Sequence, residues 1–223
     1  MTTTLPSRLA HNAATKAGSV WLTSPETGQT VSWAQAQDTI QDIVGNLHKL
    51  GLRQGEPIAI AAHNCIASAL LFTAITSADY LGTPLNLVSG TKAISYVLDH
   101  CKAKVLFCTP ENRALMDQVL DKAQGDILII PLHPEKGPVW PENLNNAQKT
   151  SAPNVPHADS PALLMYTSGT TGNPKGVVLS HTNLLAAGQN VVTAHQITNN
   201  DTGFCVLPIY HINGMCVTVM GTL

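Results

Sequence analysis

The sequence predicts an α/β fold, a layered αβα arrangement with largely parallel sheets. Two observations carry this. Short apolar runs alternate along the chain with segments of helical spacing. The runs themselves are β-branched or leucine-rich without polar alternation, as in strands covered on both faces.

Taken in order, residues 36–50 place Ile40, Ile43, Val44, Leu47 and Leu50 at helical spacing, and Gly51 stands where a C-terminal cap belongs. Residues 57–61 form a short β-type run, and an Ala-rich helix is expected over 66–80. GTPLNL reads as another strand. From Thr91 a helix sets Ile94, Val97, Leu98 and Cys101 on one face. KVLFC is a strand that stops at Thr109-Pro110. Leu115, Met116, Val119 and Leu120 mark a further helix, and DILII a further strand. Seven of the fourteen prolines lie between 131 and 161, so this stretch reads as a long connection. ALLMY and GVVLS are strands around a glycine-rich loop. Residues 181–195 read as a helix, with His181 capping its start. FCVLP is expected to be a strand and IYHING a turn, after which MCVTVMGTL opens an apolar element.

Composition limits the function. Twelve basic and fourteen acidic residues give a formal charge of −2, which argues against nucleic acid or an anionic membrane as partner. Cys65, Cys101, Cys108, Cys205 and Cys216 form no CxxC pair and no zinc spacing, so no metal site is expected. Most sit in apolar surroundings and read as free thiols in a reducing, cytoplasmic setting. MTTTLPSRLAHNAA lacks the apolar core of a signal peptide. The most apolar window, 61–81, is broken by His63, Asn64 and Asp79, so it reads as a buried helix rather than a transmembrane segment.

The charge deficit is uneven. Charged residues make up 12% of the chain, against about 25% in ordinary domains. Residues 151–223 hold only Asp159, Lys175 and Asp201. A segment with its own surface carries more charge. Either this region is deeply buried or a part that covers it is missing.

The chemistry concentrates in YTSGTTGNPKG, residues 166–176. Glycines let backbone N–H groups converge on an anion. The hydroxyls of Thr167, Ser168, Thr170 and Thr171 add donors, Asn173-Pro174 fixes a turn, and Lys175 supplies a point charge suited to phosphate. This is not a Walker A loop: Gly172 and Lys175 are separated, and a strand rather than a helix follows. A polyphosphate would therefore be held by a loop between two strands.

YTSGTTGNPKGVVLSH closely resembles the signature loop of the adenylate-forming superfamily, which includes acyl-CoA synthetases, luciferases and peptide-synthetase adenylation domains. ADYLGTPLNL, ISYVLDHCKAKVLFCTPE and LPIYHINGM resemble further family segments, in family order, over most of the chain. The resemblance implies that a carboxylate attacks the α-phosphate of ATP-Mg²⁺ and that coenzyme A then takes the acyl group. Thr167, Ser168, Gly169, Thr170, Thr171, Gly172 and Lys175 would bind the β- and γ-phosphates. His211, with Tyr210 and Gly214, would border the acyl and adenylate pocket. His211 favours a CoA ligase over an amino-acid adenylation domain, which stays open as an alternative. A non-catalytic nucleotide-binding or interaction module is a second alternative.

The family's adenine, ribose and magnesium elements, and its mobile C-terminal domain, have no counterpart in the 223 residues. Residues 1–223 thus read as an incomplete N-terminal domain of an adenylate-forming enzyme, with no complete catalytic set. Within it, 1–130 form a first α/β lobe, 131–160 a Pro-rich connection, and 161–223 the phosphate-loop segment with the start of the acyl-site region. The expectation is a fragment inactive alone, prone to self-association or to pairing with a missing C-terminal part.

Overall fold

The computed structural model describes residues 3–146, 155–167 and 173–223. It opens with an element the sequence reading did not contain, helix α1 (Leu5–Thr15). Thr4 caps it through a reciprocal box with Ser7, and Leu5 and Leu9 bury its inner face. A small antiparallel hairpin follows, β1 (Val20–Thr23) and β2 (Thr30–Ser32). Helix α2 (Trp33–His48) begins three residues earlier than its apolar spacing indicates, because Ser32 and Gln35 form a second capping box.

The remaining elements build one sheet. They are β3 (Pro57–Ala61), α3 (Ile66–Ser77), β4 (Leu81–Pro84), α4 (Thr91–Cys101), β5 (Val105–Cys108), α5 (Arg113–Leu120), β6 (Leu128–His133), β7 (Gly137–Pro138), β8 (Pro161–Thr167), β9 (Lys175–Ser180) and α6 (His181–Ala194). The seven strands lie in the order β7-β6-β5-β3-β4-β8-β9. β3 pairs in parallel with β4 and β5, β5 with β6, and β4 with β8; β6–β7 and β8–β9 are antiparallel. The sheet is therefore largely parallel, as the apolar runs require.

Those runs lack alternation because both faces are covered. Ile58 and Ile60 join one buried cluster with α1, α2, α3 and α6, whereas Ala59 and Ala61 join a second with α4 and α5. Val105 and Phe107 face the first cluster, and Leu106 and Cys108 the second. Helix α3 is buried from Ile66 through Thr76, as expected of an apolar window inside the molecule. Asp79 takes a left-handed φ of 60° just beyond it, so the helix stops short of Tyr80. Among the described residues, no helix is long and apolar enough to cross a membrane.

Three local expectations fail. FCVLP forms no strand: residues 204–208 have no ladder partner, and a side chain, Asn64, takes up their carbonyls instead. The turn after it is short, and π-helical residues Asn213–Val219 begin within IYHING. Ser180, not His181, caps α6, with its Oγ accepting from Asn183 N–H. His181 is buried, and its Nδ1 accepts from the Leu5 N–H at 3.3 Å, tying α6 to the start of α1.

Candidate functional site

The glycine-rich loop joins β8 to β9. Because β8 runs parallel to β4, the loop emerges at the carboxyl ends of the parallel strands, where ligands of open α/β sheets bind. Thr167 and Lys175 are the last registered pair before it, so hydroxyl and ammonium stand opposite each other at its root. Both are exposed. Ser168, Gly169, Thr170, Thr171 and Gly172 lie outside the described residues. Among the described residues no carboxylate lies within ion-pair distance of Lys175, so its charge is available to an anion.

One step back, Tyr166 pairs with Gly176. A Cβ on Gly176 would sit 3.1 Å from Leu164 Cδ1 and 3.4 Å from the Tyr166 ring. Glycine thus leaves room for that ring. The Tyr166 hydroxyl lies 2.7 Å from His100 Nδ1, and His100 stacks on Tyr96 at 5.5 Å. Burial, then the neighbouring Cys101 and Tyr96, push the Tyr166 phenol well above its usual range, so it stays a neutral hydroxyl. Helix α4 therefore holds the root of the loop through two aromatic neighbours. Sequence reasoning missed this anchor, since His100 and Tyr166 are 66 residues apart.

The other predicted group lies on a single segment. Tyr210 is buried in the cluster that contains Leu164 and packs on Tyr166, its ring edge-on to His63 at 6.4 Å. His211 is exposed; its N–H donates to the Pro208 carbonyl at 2.9 Å, and its own carbonyl accepts from Met215. Gly214 is buried, and a Cβ there would lie 2.4 Å from the Pro208 carbonyl oxygen. The turn that presents His211 closes only over a glycine. Upstream, Asn64, in the turn after β3, bonds to residues 205, 207 and 209. That contact too was absent from the sequence reading.

A sequence model of the AMP-binding enzyme family matches residues 9–223. The chain belongs to this family. It is 31% identical over 222 residues to a sulfoacetate–CoA ligase of Cupriavidus necator, covering 99% of this chain and 43% of that protein. An oxalate–CoA ligase of Arabidopsis thaliana is 26% identical over 202 residues, with 85% of this chain and 38% of that protein covered. The fold matches ATP-bound MatB from Rhodopseudomonas palustris with a TM-score of 0.80 at 25% identity, over 97% of this chain and 42% of that one. The chain therefore spans less than half the length of these relatives, and the AMP-binding match takes in residues 9–223 of it.

In this AMP-binding chain a large cleft lies elsewhere. A cleft of about 1970 Å³ opens between the β1–β2 hairpin, α6 and residues 197–206, lined by Trp21, Val192, Phe204 and Val206 among others. It exceeds the roughly 300–1,000 Å³ of small-molecule sites. None of Thr167, Lys175, Tyr210, His211 or Gly214 lines it, so the loop chemistry and not this cleft marks the site. Among the described residues, no group of three His, Cys, Asp or Glu side chains forms a metal-ligand set.

Proposed function

We propose that the chain is the N-terminal part of an ATP-dependent carboxylate–CoA ligase, and that the β8–β9 loop binds the triphosphate tail. The carrying observation is the Thr167–Lys175 pair at the carboxyl end of the sheet, flanking a loop of glycines and hydroxyls. Membership of the AMP-binding family and similarity to named CoA ligases support this reading.

In the first step a carboxylate oxygen of the acid attacks the α-phosphorus. The bond to the bridging oxygen of the β-phosphate breaks, and pyrophosphate leaves with that electron pair. Negative charge grows on the leaving group, so fixed donors around it lower the barrier. The hydroxyls of Thr167, Ser168, Thr170 and Thr171, the N–H groups of Gly169 and Gly172, and the Lys175 ammonium are those donors. Holding the tail rigid also aligns the α-phosphorus for in-line attack. In the second step the thiolate of coenzyme A attacks the acyl carbon and AMP departs. The segment of Tyr210, His211 and Gly214 walls the acyl side. Mg²⁺ would arrive on the nucleotide phosphates and neutralise part of their charge.

The test is carboxylate-dependent exchange of labelled pyrophosphate into ATP, in an enzyme that joins this chain to the part its relatives carry beyond it. Lys175→Ala should lower kcat/KM for exchange by about a hundredfold, the cost of removing one transition-state donor. Unchanged exchange contradicts the proposal. The chain alone should show no turnover.

A further inference from the structure

The turn after the central strand β3 makes a contact that no part of the mechanism above uses. Ala62, His63, Asn64 and Cys65 link β3 to α3, with Asn64 reaching across to residues 205–209. Its Nδ2 donates to the Cys205 carbonyl at 2.8 Å and to the Leu207 carbonyl at 2.9 Å. Its Oδ1 accepts from the Ile209 N–H at 2.7 Å. One neutral side chain thus satisfies three backbone groups in a segment that has no ladder of its own.

We infer that Asn64 is a positioning residue for the acid-binding wall: it fixes the backbone at 205, 207 and 209, and so sets where His211 stands relative to the sheet. This rests on the reading of the 210–214 segment as that wall.

Three features argue for positioning. First, the chemistry is specific to an amide. Two donors and one acceptor on a short planar head match two carbonyls and one N–H. A carboxylate would turn a lone pair toward Cys205 and Leu207, and an alanine would leave the Cys205 carbonyl and the Ile209 N–H to water and the Leu207 carbonyl with only the Cys205 thiol at 3.5 Å. The same pattern fixes the amide's orientation, since the flipped group would oppose oxygen to oxygen. Second, the base is rigid. β3 lies between β4 and β5, the most enclosed place in the sheet. Third, the load is close to the site. Tyr210 follows the last bonded residue and rests edge-on against His63, from the same turn. The His211 N–H then bonds back to Pro208, and Gly214 fits beneath that same carbonyl. Turn 63–65 and residues 205–214 form one mechanical unit. Asn64 is itself exposed, so its loss does not open the core.

The experiment compares Asn64→Ala and Asn64→Asp with the parent, so a folding defect in one leaves the other informative. Peptide-resolved hydrogen exchange on the 223-residue chain reads the latch. Exchange over 204–211 should rise about tenfold in both variants, the ratio expected when roughly one net hydrogen bond is lost. Exchange in β3 and α3 should not change. In the joined ligase, KM for the carboxylic acid should rise several-fold while KM for ATP stays put, a split that general destabilisation does not produce. Unchanged exchange over 204–211 overturns the inference and leaves the phosphate-loop reading intact. Raised exchange with an unmoved KM for the acid also overturns it, by detaching the segment from the acid site. Pyrophosphate exchange that survives Lys175→Ala counts against the phosphate loop and not against Asn64.

Discussion

Among the described glycines, Gly214 leaves the least room for a side chain. An added Cβ would meet the Pro208 carbonyl oxygen at 2.4 Å and the Leu207 carbonyl oxygen at 2.8 Å, both backbone atoms that cannot rotate away. Gly214→Ala should destabilise the chain by about 1–3 kcal/mol, the usual cost of overpacking, seen as a lower urea midpoint. Glu56 offers a second test, at the opposite end of the sheet. Burial alone would raise its carboxyl, but the Arg53 N–H, the Lys104 ammonium and the Arg53 guanidinium outweigh it and hold it at about 2, against an ordinary 4.5. The fold thus favours the ionised form. Its stabilisation is present above about pH 4.5 and is lost as pH falls towards 2. Urea midpoints measured from pH 6 to pH 2.5 should fall less in Glu56→Gln than in the parent. At this scale the sequence was legible where chemistry is local. Thr167 and Lys175 stand out because hydroxyls, glycines and one cation crowd into eleven residues. Asn64 and His100 did not, because their partners lie 141 to 145 and 66 residues away. A lone Asn or His carries no mark of such a partner.

Among the elements, the strands and helices of the sheet were readable from β3 through α5, since two-sided burial writes itself as apolar runs and helical spacing. Boundaries were less so. α2 and α6 start at capping boxes, Ser32 with Gln35 and Ser180 with Asn183, which the apolar spacing does not contain. Ser180→Ala should cost about 1 kcal/mol by thermal or urea unfolding, the value of an N-cap. It should leave hydrogen exchange over 204–211 unchanged. α1 and the β1–β2 hairpin went unread although Thr4, Pro6 and the Leu5–Leu9 spacing mark a helix start. FCVLP shows the converse error. Its residues favour a strand, but a strand exists only where another offers an edge, and here an amide side chain takes that place. β9 is an edge strand with Val177 and Val178 both exposed.

For the molecule as a whole, the charge deficit beyond residue 150 has a structural counterpart. Phe204 and Val206 are 75% and 72% exposed on the wall of the large cleft. Apolar surface of this kind drives association. Light scattering of the chain should give a mean mass that rises with concentration, and Phe204→Ser with Val206→Thr should reduce the rise. A mass constant at the monomer value would contradict this. The central claim, that the β8–β9 loop grips a triphosphate tail, is tested most directly by amine-labelling of lysines followed by peptide mass spectrometry. With ATP-Mg²⁺ or tripolyphosphate present, Lys175 should label several-fold more slowly, while the exposed Lys102 and Lys122 serve as unchanged references. Equal labelling of Lys175 with and without the phosphate, at concentrations up to millimolar, would contradict the claim.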